Sequence, residues 1–341
     1  MMGFLIGTAR VLAMVGGVAV LLLAAGYVFE RVGAARDAQA FPPPGRMVEV
    51  GGQRLHLLCK GDAPGPIVIL EMGAAEPSPL WWSIQDQVAP FARVCSYDRA
   101  GFGWSDPVKG PRSLEDRVAD LHLLLKTAKV PGPYVMVGHS YGGPLVRLFA
   151  RDYPTEVAGM VLVDTPDETS MFRGPYLDFV RTRIKPILGV LGFARRFGVL
   201  RLWEMISGDG GMTQPGELGG DAKKALAATS GTSLFRAASD EMDSVLTAPP
   251  ALRKPGGMGA SLGDRPLVVI RHGKAFPPPF DVLEVGWEDG QRRLAALSSD
   301  GVLIVAKDSN HMVQMDEPDV VVDAIHRVHT AARDGTKLSA P

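Results

Sequence analysis

The stretch Tyr134–Gly143, YVMVGHSYGG, is the most informative part of the chain, because it sets a G-x-S-x-G motif between an apolar strand and a helix. Its first residues, YVMV, form a short apolar run of the kind that is buried in a parallel sheet. Leu145, Leu148 and Phe149 then recur at helical spacing. Ser140 is therefore predicted to occupy a sharp turn between the two elements, with its hydroxyl exposed at the carboxyl edge of the sheet.

The residues around this serine fit such a turn. Gly138 and Gly142 are expected where strand and helix nearly touch, because larger side chains would clash there. The N–H of Tyr141, at the start of the helix, is a candidate donor to a developing oxyanion. A second G-x-S-x-G, around Ser261 in PGGMGASLGDRP, has no strand before it and no helix after it, so Ser261 is predicted to be a loop serine.

A serine hydroxyl becomes a good nucleophile only when a histidine takes its proton and an acid orients that histidine. The chain has seven histidines. His311 follows the apolar run VLIVA and precedes the last predicted helix, which brings it to the same sheet edge as Ser140. His272, at the end of another predicted strand, is its main competitor, whereas His139 adjoins the serine but is expected to point away from it.

Composition excludes several other classes of function. The chain of 341 residues is 46% hydrophobic and has a net charge of −1, so it can bury a large core. It contains no basic run or RNA-binding signature, and nucleic acid is not an expected partner. Neither a H-E-x-x-H motif, paired Cys-x-x-Cys motifs, a dinucleotide fingerprint nor a P-loop occurs, so no metal or cofactor is expected.

The amino terminus resembles a membrane anchor. Val11–Phe29 contains no charged residue and is about long enough to span a bilayer as a helix. Residues 1–30 are predicted to be this anchor, and residues 31–45, which end in FPPPG, a linker. A cleaved signal peptide is the alternative, because Ala38-Gln39-Ala40 has the small-x-small form, but this site lies far beyond the apolar segment. The catalytic domain is expected on the exported side.

The rest of the chain alternates predicted strands and helices, with one long interruption. Residues 46–165 and 265–330 are predicted to form the core, residues 166–264 a helical cap, and residues 331–341 a disordered tail. The cationic and aliphatic first part of the cap is interpreted as an ordinary amphipathic lid in preference to a surface that lies against a membrane or accepts lipid. Cys59 and Cys95 lie in predicted strands, where two buried thiols are favoured over a cross-strand disulfide.

Five motifs in this order resemble the α/β-hydrolase superfamily, in the branch with a helical cap that contains small esterases, haloalkane dehalogenases and epoxide hydrolases. They are ILEMGAAEPSPLWWSI, YDRAGFGWSD, VGHSYGG, GMVLVD and DSNHMVQMDEP, and the resemblance spans about residues 47–329. It implies an α/β fold: a mostly parallel sheet with helices on both faces and an inserted cap.

The resemblance also implies the chemistry. Dehalogenases and epoxide hydrolases carry Asp where this chain has Ser140, so cleavage of an ester, thioester or amide through an acyl-enzyme is favoured. The second oxyanion donor usually comes from the last residue of a His-Gly-x loop. The corresponding residues here are Met72-Gly73-Ala74, so the N–H of Ala74 is the candidate.

The triad acid departs from the common pattern. Many relatives place an Asp a few residues after the strand equivalent to Leu267–Ile270, but this chain has about Phe276 there. Asp281 reaches the site only if the PPP turn folds back. Other relatives use a carboxylate at the end of the preceding strand, which here is Asp164 in GMVLVDTP. Asp164 is favoured over Asp281.

The sequence thus predicts a membrane-anchored serine hydrolase that acts on a small, apolar acyl substrate without a cofactor. Two alternatives remain open. One is a non-acyl reaction on the same fold, such as carbon–carbon hydrolysis, cofactor-free peroxidation or lyase chemistry. The other is a ligand-binding protein without turnover.

Overall fold

A computed structural model describes residues 2–107, 110–207, 218–259 and 261–338, with only the backbone described for residues 2–9. The strands are β1 Arg46–Val50, β2 Gln53–Lys60, β3 Ile67–Glu71, β4 Val94–Tyr97, β5 Tyr134–His139, β6 Val157–Val163, β7 Leu267–His272 and β8 Gly301–Ala306. The α-helices are α1 Met2–Ala40, α2 Trp82–Val88, α3 Leu114–Thr127, α4 Gly142–Asp152, α5 Glu168–Met171, α6 Gly174–Phe179, α7 Lys185–Arg196, α8 Val199–Ser207, α9 Gly220–Thr229, α10 Thr232–Leu246, α11 Trp287–Ala295, α12 Val313–Asp316 and α13 Pro318–Asp334. Short 3-10 helices span Ser78–Trp81, Pro154–Glu156 and Phe280–Leu283, and Val180–Ile184 is a π-helix.

The strands form one eight-stranded sheet in the order β1-β2-β4-β3-β5-β6-β7-β8. The β1–β2 and β2–β4 pairs are antiparallel, and all other pairs are parallel. The predicted mostly parallel sheet is confirmed. Because parallel strands share their direction, the loops after β5, β6, β7 and β8 meet at one edge, and this edge carries the candidate site.

Helices cover both faces of the sheet, as expected. Alternate residues of each buried strand point to opposite faces, so Val135 and Val137 join one apolar layer while Tyr134 and Met136 join the other. The first layer includes α2 and α13, and the second includes α3 and α4.

The segment between β6 and β7, here called the insert (residues 166–264), contains helices and no strand in its described part. Its helices α7 and α10 pack against each other. A helical segment is therefore inserted directly after β6, whose carboxyl end lies at the edge that carries the candidate site.

Helix α1 continues to Ala40 and includes most of the segment that the sequence analysis assigns to a linker. Two of its acidic side chains explain the extension. Glu30 is buried and pairs with Arg195 and Arg201 of the insert, and Asp37 also pairs with Arg201. Within Arg10–Ala40, the most apolar window has a mean hydropathy of 2.4 and is 0% buried. This one apolar helix has the length and composition of a membrane span.

The carboxyl terminus also differs from expectation. Helix α13 extends to Asp334 and ends at Gly335, whose φ of 63° is a common helix-terminating conformation. Residues 331–334, expected in a disordered tail, are therefore helical, because Ala331 is buried against the core. Residues 339–341 lie outside the described part of the chain.

The expectation of two separate thiols is wrong. Cys59 of β2 lies directly opposite Cys95 of β4 in the antiparallel pair, and the two form a disulfide. The bond links residues 36 positions apart and so encloses β3 and the loop that follows it. Cross-strand neighbours in an antiparallel pair are close enough for this linkage without displacing the backbone.

Candidate active site

Ser140 lies in a strained turn between β5 and α4. Its φ is 48°, a left-handed conformation that is uncommon for residues other than glycine. A Cβ at Gly142 would lie 2.6 Å from the carbonyl oxygen of Met72, and one at Gly138 would lie 2.8 Å from that of Gly142. Both glycines are thus required by close backbone approach, as the sequence analysis expects.

The structure brings Ser140, His311 and Asp164 into one hydrogen-bonded chain. The Oγ of Ser140 lies 2.9 Å from Nε2 of His311. The Nδ1 of His311 lies 2.6 Å from Oδ2 of Asp164. These contacts allow His311 to accept a proton from Ser140 while donating its other ring proton to Asp164. Asp281, the alternative acid, lies on an exposed 3-10 turn instead.

Asp164 is fully buried at the end of β6, with a φ of 44°. Its Oδ1 accepts hydrogen bonds from the backbone N–H of His272, at 3.0 Å, and from Nε1 of Trp287, at 2.9 Å. Burial alone would raise the pKa of this carboxyl. Hydrogen bonds from His272 and His311, with the charges of both rings, outweigh burial and lower the pKa. The carboxylate form is therefore the stable one at this site.

His272, the competitor for the role of base, binds the same carboxylate and not Ser140. Its Nδ1 lies 2.7 Å from Oδ2 of Asp164, and its Nε2 lies 3.2 Å from Oε2 of Glu284. Both ring nitrogens face carboxylate oxygens, which only accept hydrogen bonds, so the imidazolium form satisfies both contacts. Burial lowers the pKa of His272, but the hydrogen bond and charge of Asp164, together with Glu284, raise it overall.

We expect the cation at His272 to add a pH-dependent contribution to stability. A histidine whose pKa is raised by folding stabilises the native state fully below its unfolded pKa, and this stabilisation is lost as pH rises through the folded pKa. The unfolding free energy of the wild type should therefore exceed that of His272→Asn by more at about pH 5.5 than at about pH 9. These two pH values lie below and above the ordinary pKa of histidine. Denaturant unfolding at both pH values measures this difference, and an equal difference at the two values would contradict the protonated assignment.

The loop after β3 carries the candidate oxyanion donor Ala74. Among the described residues, the N–H groups of Ala74 and Tyr141 donate to no other group. Arg99 holds the carbonyl oxygens of Met72 and Gly73 at 2.7 and 2.6 Å. The backbone on the amino side of Ala74 is thus fixed by a buried guanidinium.

Glu241 of the insert holds the other side of this loop. Its Oε2 accepts the N–H of Ala75 at 3.0 Å, and its Oε1 accepts Nε of Arg99 at 2.6 Å. Nearby, Ser244 of the same helix hydrogen-bonds the hydroxyl of Tyr141 at 2.8 Å. Helix α10 therefore contacts Tyr141, one candidate oxyanion donor, and Ala75, which directly follows the other candidate, Ala74.

Sequence reasoning missed this role of α10. One signal was available: Glu241 lies on the buried face of the helix, at helical spacing from Ala238 and Val245. A carboxylate among apolar positions indicates a buried partner. Nothing local in the sequence indicates that this partner is Arg99.

We expect Glu241→Gln to slow turnover by about 10- to 100-fold, somewhat less than the loss of an oxyanion donor itself. The amide keeps the size of the side chain but removes the charge that orients Arg99 and weakens the hold on Ala75. The reduction should fall on kcat rather than KM. Asp243→Asn is the matched control, because Asp243 lies on the same helix in a partly exposed pair with Lys185. Equal kcat values for the two variants would contradict a positioning role for Glu241.

His139 is held beside His311 by hydrogen bonds. Its Nε2 lies 3.0 Å from the carbonyl oxygen of His311, and its Nδ1 pairs with Glu76. Glu76 also accepts the N–H of Gly73 at 2.9 Å. Burial lowers the pKa of His139, but the Glu76 carboxylate outweighs it and raises the pKa. Both ring nitrogens are thus engaged with the His311 carbonyl oxygen and Glu76 rather than with Ser140.

A small cavity of about 50 Å³ adjoins Ser140 and His311. The side chains around it are mainly apolar, with Arg173 as a cation; they include Met171, Tyr176, Leu283, Val285 and Trp287. A larger groove of about 760 Å³ lies between α7, α10 and the segment around Pro111. None of the three hydrogen-bonded residues lines that groove, so the chemistry belongs to the smaller, more enclosed cavity.

Asp164, His272 and His311 also offer ligand atoms that all lie within 4.8 Å of one another. In the described structure these atoms are used by hydrogen bonds: both Nδ1 atoms face Oδ2 of Asp164, and Nε2 of His311 faces Ser140. The arrangement is accounted for by proton sharing without a metal ion.

Comparisons with known proteins agree with the fold described above. Residues 66–196 match the model of the α/β hydrolase fold family. An AB hydrolase superfamily protein of Gibberella zeae is 36% identical over 107 residues, which cover 30% of this chain and 33% of that protein. The probable transporter efuK of Hormonema carpetanum is 32% identical over 173 residues, covering 47% of this chain and 25% of that protein.

A solved structure extends the likeness over most of the fold. The enol-lactonase from Burkholderia xenovorans LB400 has a TM-score of 0.57 and 18% identity, covering 84% of this chain and 100% of the lactonase. The chain thus spans 33% of the length of the Gibberella zeae protein and 25% of the length of efuK. The chain has the α/β hydrolase fold.

Proposed function

We propose that the protein is a serine hydrolase that cleaves a carboxylic ester or related acyl bond through an acyl-enzyme intermediate. The observation that carries the proposal is the chain of contacts from Ser140 through His311 to Asp164, set on a strained turn at the carboxyl edge of the sheet. Such a constellation activates a hydroxyl for attack on a carbonyl carbon.

In the first half of the reaction, Oγ of Ser140 bonds to the carbonyl carbon as Nε2 of His311 takes the hydroxyl proton. Asp164 keeps the ring oriented and stabilises its positive charge. The N–H groups of Tyr141 and Ala74 stabilise the tetrahedral oxyanion. When the intermediate collapses, the bond to the leaving group breaks, and His311 gives its proton to that group.

In the second half, His311 takes a proton from water as the water oxygen attacks the acyl carbon. Collapse of the second tetrahedral intermediate returns the proton to Ser140 and releases the acid. The apolar side chains around the cavity support a small, apolar acyl group as the substrate.

Labelling of the full chain by a fluorophosphonate tests the proposal, because only an activated serine reacts readily with this reagent. We expect label on the wild type and on Ser261→Ala, and none on Ser140→Ala. Ser261 is the matched control: it belongs to the same sequence pattern but lies exposed in a loop, with its Oγ 3.0 Å from the N–H of Gly263.

An unlabelled wild type would contradict the proposal and favour a ligand-binding protein. A labelled wild type that hydrolyses no acyl ester in a series of increasing chain length would favour a non-acyl reaction on the same fold.

We also infer that α1 anchors the protein in a membrane with the catalytic domain on the exported side. The apolar, exposed window within Arg10–Ala40 supports the anchor. The Cys59–Cys95 disulfide supports export, because such bonds persist mainly in oxidising compartments. Protease added to intact cells should digest the catalytic domain, and full protection of that domain would contradict the orientation.

A further inference from the structure

The insert carries an apolar surface that no described residue covers. It comprises Ile187, Val190 and Phe193 of α7 with Val199, Leu202, Trp203, Met205 and Ile206 of α8, and we call it the insert face. Every one of these side chains is more than half exposed. Large apolar side chains clustered in this way on a folded domain mark an interaction surface, whereas single exposed ones do not.

The insert face is continuous with helix α1. At Gly26 the α1 backbone approaches the carbonyl oxygen of Phe197 so closely that a Cβ there would clash. A Cβ at Gly198 would in turn lie 2.8 Å from the ring of Phe29. Helix α8 begins one residue later, at Val199, so the insert face adjoins the apolar part of α1.

Ion pairs fix the two elements in this arrangement. Glu30 binds Arg195 at 3.0 Å and Arg201 at 2.9 Å, and Asp37 binds Arg201 at 2.7 Å. Arg195 and Glu30 are nearly inaccessible to solvent. The contact between α1 and the insert is therefore a built interface, and the insert is held at a defined position along the helix.

The change from apolar to charged residues on α1 falls where this helix contacts the insert. On α1, the exposed apolar run ends at Phe29 and the charged residues begin at Glu30 and Arg31. On the insert, Arg196 stacks on the ring of Tyr27 at 5.9 Å, at the height where α1 meets Phe197. Aromatic and cationic side chains at one level are typical of a membrane–water interface.

We propose that the insert face lies in the interfacial layer of the bilayer that α1 spans, with its apolar side chains among the lipid chains. This inference rests on the proposed membrane anchor. Its occupant is lipid: the face continues an apolar helix, and the exposed arginines beside it, Arg31, Arg36 and Arg196, suit anionic headgroups. The lid interpretation favoured from the sequence treats the cations of the insert, Arg196 among them, as solvated.

Tryptophan fluorescence of the full chain tests the proposal. The chain has five tryptophans, none of them in the apolar part of α1. Trp203 is 61% exposed, whereas the other four are buried or partly buried. In vesicles of phosphatidylcholine and phosphatidylglycerol, brominated acyl chains should quench the wild type and should leave Trp203→Phe unquenched.

A second probe keeps the test independent of that substitution. The two native cysteines are paired, so Met205→Cys and Asp323→Cys each offer one thiol to an environment-sensitive fluorophore. Asp323 is an exposed residue of α13 and serves as the matched control. We expect a blue shift on vesicle binding for the label at position 205 and none at position 323.

The outcomes separate the two proposals. A chain that fails to float with the vesicles would overturn both the anchor and the insert face. A chain that floats, but whose Trp203 is not quenched and whose label at position 205 emits as in water, would overturn the insert face alone. Neither readout depends on catalysis, so both are independent of the proposed hydrolase reaction.

Discussion

Ser140→Ala should lower kcat for acyl ester hydrolysis by a factor on the order of 10⁶, the loss typical of removing a triad nucleophile. Without Oγ there is no group to form the acyl-enzyme, and the oxyanion donors alone provide only residual catalysis. The fold should persist, because the smaller side chain removes only the contact with His311. Initial rates on a chromogenic ester, with circular dichroism as a check of folding, measure both effects.

Ser261→Ala is the control for this variant and should retain wild-type kcat. Undiminished turnover in Ser140→Ala would remove Ser140 from the mechanism. Loss of turnover in both variants would indicate that the assay reports stability rather than chemistry.

Asp164→Asn should lower kcat by about 10⁴-fold. In the wild type, Oδ2 of Asp164 accepts hydrogen bonds from Nδ1 of both His311 and His272. The asparagine amide would place an NH₂ donor at this position, which would disfavour the ring orientation that His311 needs. The depressed pKa of Asp164 also predicts a loss of stability, since the buried cation at His272 would lose a partner. Melting temperature is therefore measured beside kcat.

Asp281→Asn is the matched comparison and should change kcat by less than about twofold, as expected of an exposed surface substitution. A larger loss in Asp281→Asn than in Asp164→Asn would assign the acid role to Asp281.

Sequence reasoning reached Ser140 from its motif and His311 from the topology, whereas Asp164 came from the resemblance to relatives that place a carboxylate at the end of this strand. Loops at the carboxyl ends of parallel strands meet at one edge of the sheet, so three loop residues far apart in sequence could be placed together. The fold followed from the alternation of predicted strands and helices, and the predicted mostly parallel sheet is present. The catalytic roles of the three residues stay predictions.

His272 shows the limit of that reasoning. His272 and His311 both follow strands at the same edge, so topology alone does not separate a base from a partner of the acid. The structure separates them by side-chain direction, which depends on the left-handed backbone at Asp164 and on the packing of Trp287 against its carboxylate. Neither has a signature in the local sequence.

The disulfide was missed for a related reason. Adjacent positions of β2 and β4 could be predicted, but a slip of one residue in register would turn Cys59 to the opposite face. The extension of α1 to Ala40 depends on Arg195 and Arg201, which lie more than 150 residues away. Long-range ion pairs of this kind are not readable from the segment that they stabilise.

The length of α1 affects where Ser140 would lie relative to the membrane. A helix of 39 residues is about 58 Å long, whereas the hydrocarbon layer of a bilayer is about 30 Å thick. The eleven residues of α1 after Phe29, about 16 Å of helix, would stand above the membrane as a rigid extension, joined to the insert by Glu30 and Asp37. Ser140 would then stay at one height over the lipid and travel only sideways. Encounters with a substrate dissolved in the bilayer would then be two-dimensional, so turnover of such a substrate would follow its mole fraction in the membrane and would fall on dilution with inert lipid at constant bulk concentration.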